Sequence, residues 1–360
     1  MTRSRLAERC LDLVSIPSVS GNEAEIAHYL EGVIRSSAPE GVQTVRVGDN
    51  VVVRRPRDGA PRLVIAGHID TVPPDPTDTV GIEGGRLRGV GSTDMKGGVA
   101  VMSELACLPA VDVDLTFVFY VCEEVDLSRN GLRQVFAAVP SIAEADAAIL
   151  MEPTQNFVEA GCQGTLRALV KLRGVRAHSA RPWMGTNAIE RLAPVLVALE
   201  RFERREPVLG GVSFRESLSA IRVSGGIANN VVPDEVGIWL NYRFAPDLTV
   251  ESGFERLAEA LREGNAIDPE VGDTVELEDG SPAAWPGTES PLLQPLIAQV
   301  PGVRAKLGWT DVAFFGERGI PAVNYGPGDP SLAHSAGEWL DLDELLPAYE
   351  ALASLVVLSQ

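Results

Sequence analysis

The chain has 360 residues, 45% hydrophobic and 22% charged, and carries a formal net charge of -19. That length exceeds one compact core and predicts two domains, or one domain with a large insertion; the charge argues against nucleic acid or an anionic membrane surface as partner, because both would repel it. No apolar run approaches a membrane span, the start MTRSRLAERC lacks a signal-peptide stretch, and four scattered cysteines without CxxC spacing suggest no disulfide framework, so a cytoplasmic location is expected.

In chain order, Leu6, Cys10, Leu13 and Val14 give residues 3 to 15 a helical period that stops before Pro17. Ser20 and Glu23 form a capping-box pattern ahead of a second helix carrying Ile26, Leu30 and Ile34. VQTVRV, NVVVRR and RLVIAGHID read as strands. DMKGGVAVMSELACL then reads as a helix, LTFVFYVCEEV as a buried strand, SRNGLRQVFAAV as a helix and ADAAILMEPT as a further buried strand. Apolar strands alternating with helices predict an α/β fold with a mostly parallel sheet covered on both faces. Beyond about residue 164 the texture changes. TLRALVKLRGV alternates as a half-exposed strand, a long helix follows in GTNAIERLAPVLVALERFERR, and then come ESLSAIRVSGG, EVGIWLNYRFAP, a helix from about Thr249, and DTVELEDG. This order predicts an inserted α+β sandwich with one polar sheet face. DGSPAAWPGTESP reads as the return linker to a last α/β piece that ends in a helix over DLDELLPAYEALASLVVL. The expected domains are therefore 1–164 and 284–360 for the main body and 165–283 for the insert.

In an open parallel sheet, chemistry sits at the carboxyl ends of strands. His68 and Asp70, Glu123 and Glu124, and Glu152 all close predicted strands; Asp94 lies in the loop GSTDMKGG, and His334 follows the last strand in LAHSAGEW. Singly, each has a plain explanation, since a histidine at a strand end is ordinarily a hydrogen-bonding residue and an acid near a loop is usually solvated. Together, imidazole nitrogen and carboxylate oxygen without cysteine form a ligand set suited to zinc, cobalt or manganese in a hydrolytic site. Holding so many carboxylates together requires two cations. His28 lies mid-helix in no motif and reads as surface or satisfied core.

HIDTVP, GSTDMKGG, CEEV, EPT and AHSAGE, in that order along the whole chain, resemble the dinuclear zinc amidohydrolases that include succinyl-diaminopimelate desuccinylases, acetylornithine deacetylases, aminoacylases and glutamate-releasing carboxypeptidases. The resemblance implies a zinc-aminopeptidase-like catalytic domain carrying a lid and dimerisation domain. It implies that His68, Asp94 and Glu152 hold one zinc and Asp94, Glu124 and His334 the other, with Asp94 bridging. It makes Asp70 the hydrogen-bond partner that orients His68, Glu123 the general base, and the Asp94–Met95 peptide cis. Neighbouring side chains on a strand point to opposite faces, so Glu124 is expected to face the metal and Glu123, on the other side, the water and substrate.

The insert resembles the family's lid in GVRAHSARPWMGTNAI, SGGIANNVVPDE and NYRFAPD. By this resemblance His178 reaches into the site of a partner subunit to stabilise the oxyanion, and Asn229 and Arg243 contact the substrate's carboxylate or carbonyl. Gly308 and Thr310 fall in the substrate loop. The partners implied are a small anionic N-acyl amino acid and a second copy of the chain. The tail from KLGWTDV to AGEWL looks most like the actinobacterial succinyl-diaminopimelate desuccinylase branch, which implies release of succinate and L,L-diaminopimelate. One departure stands out: where the proteobacterial branch has an arginine-rich RRGS, this chain has Cys162, Gln163, Gly164 and Thr165. A deacylase or carboxypeptidase of the same family is the alternative, and an inactive binding protein on the same scaffold a remote one; the latter should have lost a ligand or the base, and every position is present.

Overall fold

The computed structural model describes residues 1–357. The chain divides into two compact units: Met1–Gly161, Trp285–Ala305 and the chain from Asp311 onward form the first, and Cys162–Ala284 with Lys306–Thr310 the second. The sequence assigned residues 306 to 310 to the returning body. They pack with the insert instead, because Lys306 O accepts from Gln163 N at 3.1 Å, Thr310 O from Cys162 Sγ at 3.7 Å, and Trp309 Nε1 donates to Pro282 O at 3.0 Å.

The first unit is built on an eight-stranded mixed sheet in the order Gln43–Val47, Asn50–Arg55, Asp114–Tyr120, Arg62–His68, Ala147–Leu150, Ala322–Asn324, Val158–Ala160 and Val303–Ala305. Its central four strands are parallel. They are nearly free of exposed residues, as strands covered on both faces should be. Helix Gly97–Ala106 is buried along its whole length and packs against Arg3–Ser15 and Leu345–Val356. Register places His68 beside Tyr120, and Leu150 beside both Ala66 and Asn324. The residues following these strands therefore emerge on one side of the sheet. None of the described helices is long and apolar enough to cross a membrane.

Several boundaries differ from the sequence reading. The strand after Asp114 ends at Tyr120, so Cys122, Glu123 and Glu124 belong to a turn. Asp94 and Met95 have non-helical backbone angles and the helix begins at Gly97. The expected capping box does not form: helix Ala24–Ser37 starts without a side-chain cap, Ser20 Oγ donates to Asp70 Oδ2 at 2.7 Å, and Glu23 accepts from Gly21 N. The long helix of the insert is confined to Leu192–Arg201. His28 is exposed and its Nδ1 meets Ala24 O.

The second unit is an antiparallel four-stranded sheet in the order Ser217–Gly225, Glu235–Phe244, Gly164–Arg173 and Thr274–Ser281. Leu166, Ala168, Val170 and Leu172 alternate onto one face, where Ile238, Leu240 and Tyr242 join Val195, Leu257 and Leu261 of helices Leu192–Arg201 and Val250–Glu263 in a single core. The opposite face carries Arg167, Lys171, Glu276 and Asp279 in exposed ion pairs. Thr249 caps the second helix in a capping box with Ser252.

Candidate metal centre

His68, the last residue of its strand, is 1% exposed; its Nε2 lies 3.1 Å from Asp94 Oδ1. Its Nδ1 meets Asp70 O at 3.1 Å, with the Asp70 carboxylate further off at 3.6 Å. His334, at the turn after residues 330–332, stands 2.8 Å from Glu124 Oε1 and 3.6 Å from Asp94 Oδ2. Ligand atoms of His68, Asp94 and Glu152 lie within 4.8 Å of one another, and so do those of Asp94, Glu124 and His334. Asp94 belongs to both triads. Its peptide bond to Met95 is cis.

Glycines allow this convergence. A Cβ on Gly98, in the first turn of the buried helix, would sit 2.4 Å from Met151 O, and one on Gly326 would sit 2.6 Å from the same oxygen and 2.7 Å from Glu152 O. Helix and neighbouring strand loop can thus press directly on the backbone that presents Glu152.

The two adjacent glutamates do not face opposite ways. Because the strand has ended, the period of two no longer applies, and Cys122 turns the chain in the left-handed region with φ 58°. Ligand atoms of both Glu123 and Glu124 lie within 4.8 Å of His68. Asp70, fully buried, holds the turn: its Oδ1 accepts from Glu123 N at 3.0 Å and its Oδ2 from Glu124 N at 3.2 Å.

Electrostatically the site is crowded with acid. Burial, reinforced by the negative charge of Asp311, pushes Glu123 well above the usual carboxyl range, and burial also raises Glu124. Burial opposes protonation of His68, yet hydrogen bonding to Asp70 and Asp94 outweighs it and holds this imidazole well above its ordinary value. Carboxylates and imidazoles converging in two triads that share Asp94, with His68 and Glu152 buried and His334 exposed, are a donor set that a pair of divalent cations fits, since hard cations relieve the mutual repulsion of the acids.

Three supporting residues went unread in the sequence. Glu338, 2% exposed, accepts from Gly91 N, Thr93 N and Asp94 N at 2.8 to 3.0 Å and so fixes the loop of Asp94; burial pushes it up to about 7. Its signal was present, an acid four residues after His334 and just before strand Trp339–Asp341. Asp311, fully buried and raised by burial to about 6, accepts from Asn130 Nδ2 at 2.8 Å; nothing in the sequence marks either residue.

The residues assigned to the insert lie in the second unit. His178 is exposed on the short strand Ala177–His178, paired with Val231–Val232, and its Nδ1 accepts from Ala180 N at 3.0 Å. That pairing brings His178 to the same corner as exposed Asn229, two residues from His178's partner Val231. Arg243 is half-buried on strand Glu235–Phe244 opposite Thr165, and burial lowers its pKa. Gly308 is exposed and Thr310 4% exposed, both in the segment that joins the insert.

An α/β unit presenting two overlapping nitrogen and oxygen triads at strand ends, with an α+β insert, defines a metallohydrolase architecture. Residues 64–357 match the model of peptidase family M20/M25/M40, and the chain belongs to that family. It is 43% identical over 342 residues, covering 94% of both chains, to a Mycobacterium tuberculosis protein assigned as the succinyl-diaminopimelate desuccinylase DapE. It is 40% identical over 339 residues to the succinyl-diaminopimelate desuccinylase of Corynebacterium glutamicum, covering 92% of this chain and 91% of the relative. Among solved structures, Bacillus subtilis YXEP, described as a dinuclear metal binding peptidase of the M20 family, shares the fold with a TM-score of 0.73 at 17% identity over 98% of this chain and 97% of its own.

Proposed function

We propose that this protein is a zinc-dependent amide hydrolase that converts N-succinyl-L,L-diaminopimelate and water to succinate and L,L-diaminopimelate. The observation that carries the chemistry is the membership of Asp94 in both ligand triads, His68 with Glu152 and Glu124 with His334. The substrate choice is supported by the two desuccinylase relatives at 43% and 40% identity over nearly the whole chain. Two zinc ions, one held by His68, Asp94 and Glu152 and the other by Asp94, Glu124 and His334, would supply Lewis acidity toward the scissile carbonyl and a water.

The remaining steps belong to side chains. Glu123, half-buried beside the triads, accepts the proton of the attacking water as oxygen adds to the carbonyl carbon, then returns it to the departing amine nitrogen as the C–N bond breaks. Asp70 keeps Glu123 and Glu124 in place through their amides. In our reading the first unit is the catalytic domain and the second the lid and dimerisation domain. His178 acts as oxyanion donor in the partner's site, and Asn229, Arg243, Gly308 and Thr310 bind the anionic substrate. Arg243 fits that role because its guanidinium has no ion-pair partner among the described residues. We further propose a homodimer through the second unit, supported by its exposed edge strand Ser217–Gly225, and a cytoplasmic location, supported by four free thiols.

The deciding experiment measures kcat/KM of zinc-loaded protein on N-succinyl-diaminopimelate, N-acetylornithine and N-acyl glutamates. Preference for the first is expected; preference for either competitor overturns the substrate assignment and leaves the family chemistry standing.

A further inference from the structure

Four consecutive amides in the turn that carries Glu123 and Glu124 are each captured by a buried side chain. Val121 N donates to Asn50 Oδ1 at 3.0 Å, Cys122 N to Glu23 Oε1 at 3.2 Å, and the next two to Asp70. Asn50, Glu23 and Asp70 come from three separate parts of the chain and are all at most 2% exposed. A strand that continued would satisfy these donors by its ladder; here the ladder stops at Tyr120 and side chains take over.

Glu23 occupies the most demanding point. Cys122 is a non-glycine residue at φ 58°, a conformation such residues rarely adopt unless surrounding contacts hold it. Glu23 Oε1 accepts from both the amide and the thiol of Cys122, the latter at 3.3 Å, and from Gly21 N at 2.9 Å. One oxygen thus ties the amino-terminal segment to the residue immediately before the general base.

We propose that Glu23 is a positioning residue for amide hydrolysis: by fixing Cys122 in its left-handed turn, it aims the Glu123 carboxylate at the attacking water. The proposal rests on the reading of Glu123 as the base. Glu23 is a member of neither ligand triad, so its loss removes no cation donor while misdirecting the base next to Cys122.

The test uses full-length, zinc-loaded Glu23→Ala and Glu23→Gln proteins, with kcat, KM, metal stoichiometry and amide hydrogen exchange of residues 121 to 124 measured for each. Displacement of a catalytic group by about 1 Å costs on the order of 10²-fold, so Glu23→Ala should lower kcat by about that factor at nearly unchanged KM and metal content, with faster exchange in the turn. Glu23→Gln keeps an acceptor oxygen in the same place and should restore most of the lost kcat and exchange protection. The inference is overturned if Glu23→Ala leaves exchange unchanged, if its kcat per folded molecule matches wild type, if lost activity tracks lost metal, or if Gln is as impaired as Ala. Should wild type hydrolyse none of the amides offered, the functional reading fails, and the exchange comparison still decides whether Glu23 holds the turn.

Discussion

Glu123 and Glu124 are chemically identical neighbours, and the different roles proposed for them follow from the side chains each carboxylate meets. Glu124 bonds His334 at 2.8 Å and shares a triad with Asp94, whereas Glu123 lies in neither triad that contains Asp94. A general base contributes about 10²- to 10⁴-fold, so Glu123→Gln should reduce kcat by that range while metal stoichiometry, read by atomic emission, stays near wild type. Glu124→Ala should instead lose metal from one of the two triads. Equal metal loss in both variants would contradict the division of roles. The sequence made both carboxylates legible as a pair at a strand end; the side each faces was misread, because the period of two assumes that the strand continues, and it ends at Tyr120.

Among secondary elements, the second unit depends on a buried ion pair that no short-range pattern signals. Asp273, ahead of strand Thr274–Ser281, is 5% exposed and receives both terminal nitrogens of Arg191 at 2.7 and 2.6 Å, plus Arg173 N and Asp268 N at 2.8 Å each. Burial alone would raise its pKa, but the Arg191 hydrogen bonds and the two amides outweigh it, leaving the folded value below the usual one. A depressed carboxyl stabilises the fold above its unfolded pKa of about 3.9 and loses that contribution as pH falls through the folded value. Replacement by Asn should therefore cost about 2 kcal/mol at neutral pH, measured by urea unfolding, with the gap to wild type closing below about pH 4. A gap that persists unchanged in acid would show that the charge is not what matters. Strands and helices themselves were largely readable: Gly164–Arg173, Glu235–Phe244 and Val250–Glu263 lie within or close to the segments read as the strands TLRALVKLRGV and EVGIWLNYRFAP and the helix from about Thr249. Exceptions occur where a tertiary partner takes the local donor, as Asp70 does with the Ser20 hydroxyl that would have capped helix Ala24–Ser37.

For the whole molecule, the edge strand Ser217–Gly225 presents Ile221 and Val223, each 54% exposed, at one of the two edges of its sheet, strand Thr274–Ser281 forming the other. An uncovered edge with apolar side chains is a template for pairing with another chain. Charging it with Ile221→Lys and Val223→Lys together should shift sedimentation toward a single 38.4 kDa chain and depress kcat while metal content holds, because in the proposed dimer His178 serves the partner's site. A monomeric wild type of full activity would reject both the dimer and the role of His178 in trans.

By itself the sequence determined the α/β body, the presence of an insert and the gathering of histidines and acids at strand ends, since apolar periodicity and strand-end chemistry are local properties that a chain cannot hide. Only the tertiary structure decided that Asp94 stands between His68 and His334, that Glu338 and Asp70 hold the loops on either side, and that Glu23 reaches Cys122 from almost a hundred residues away. These are contacts between segments far apart in the chain. Buried backbone donors at the ends of strands and helices must find acceptors wherever packing brings them, and no local pattern records which acceptor that will be.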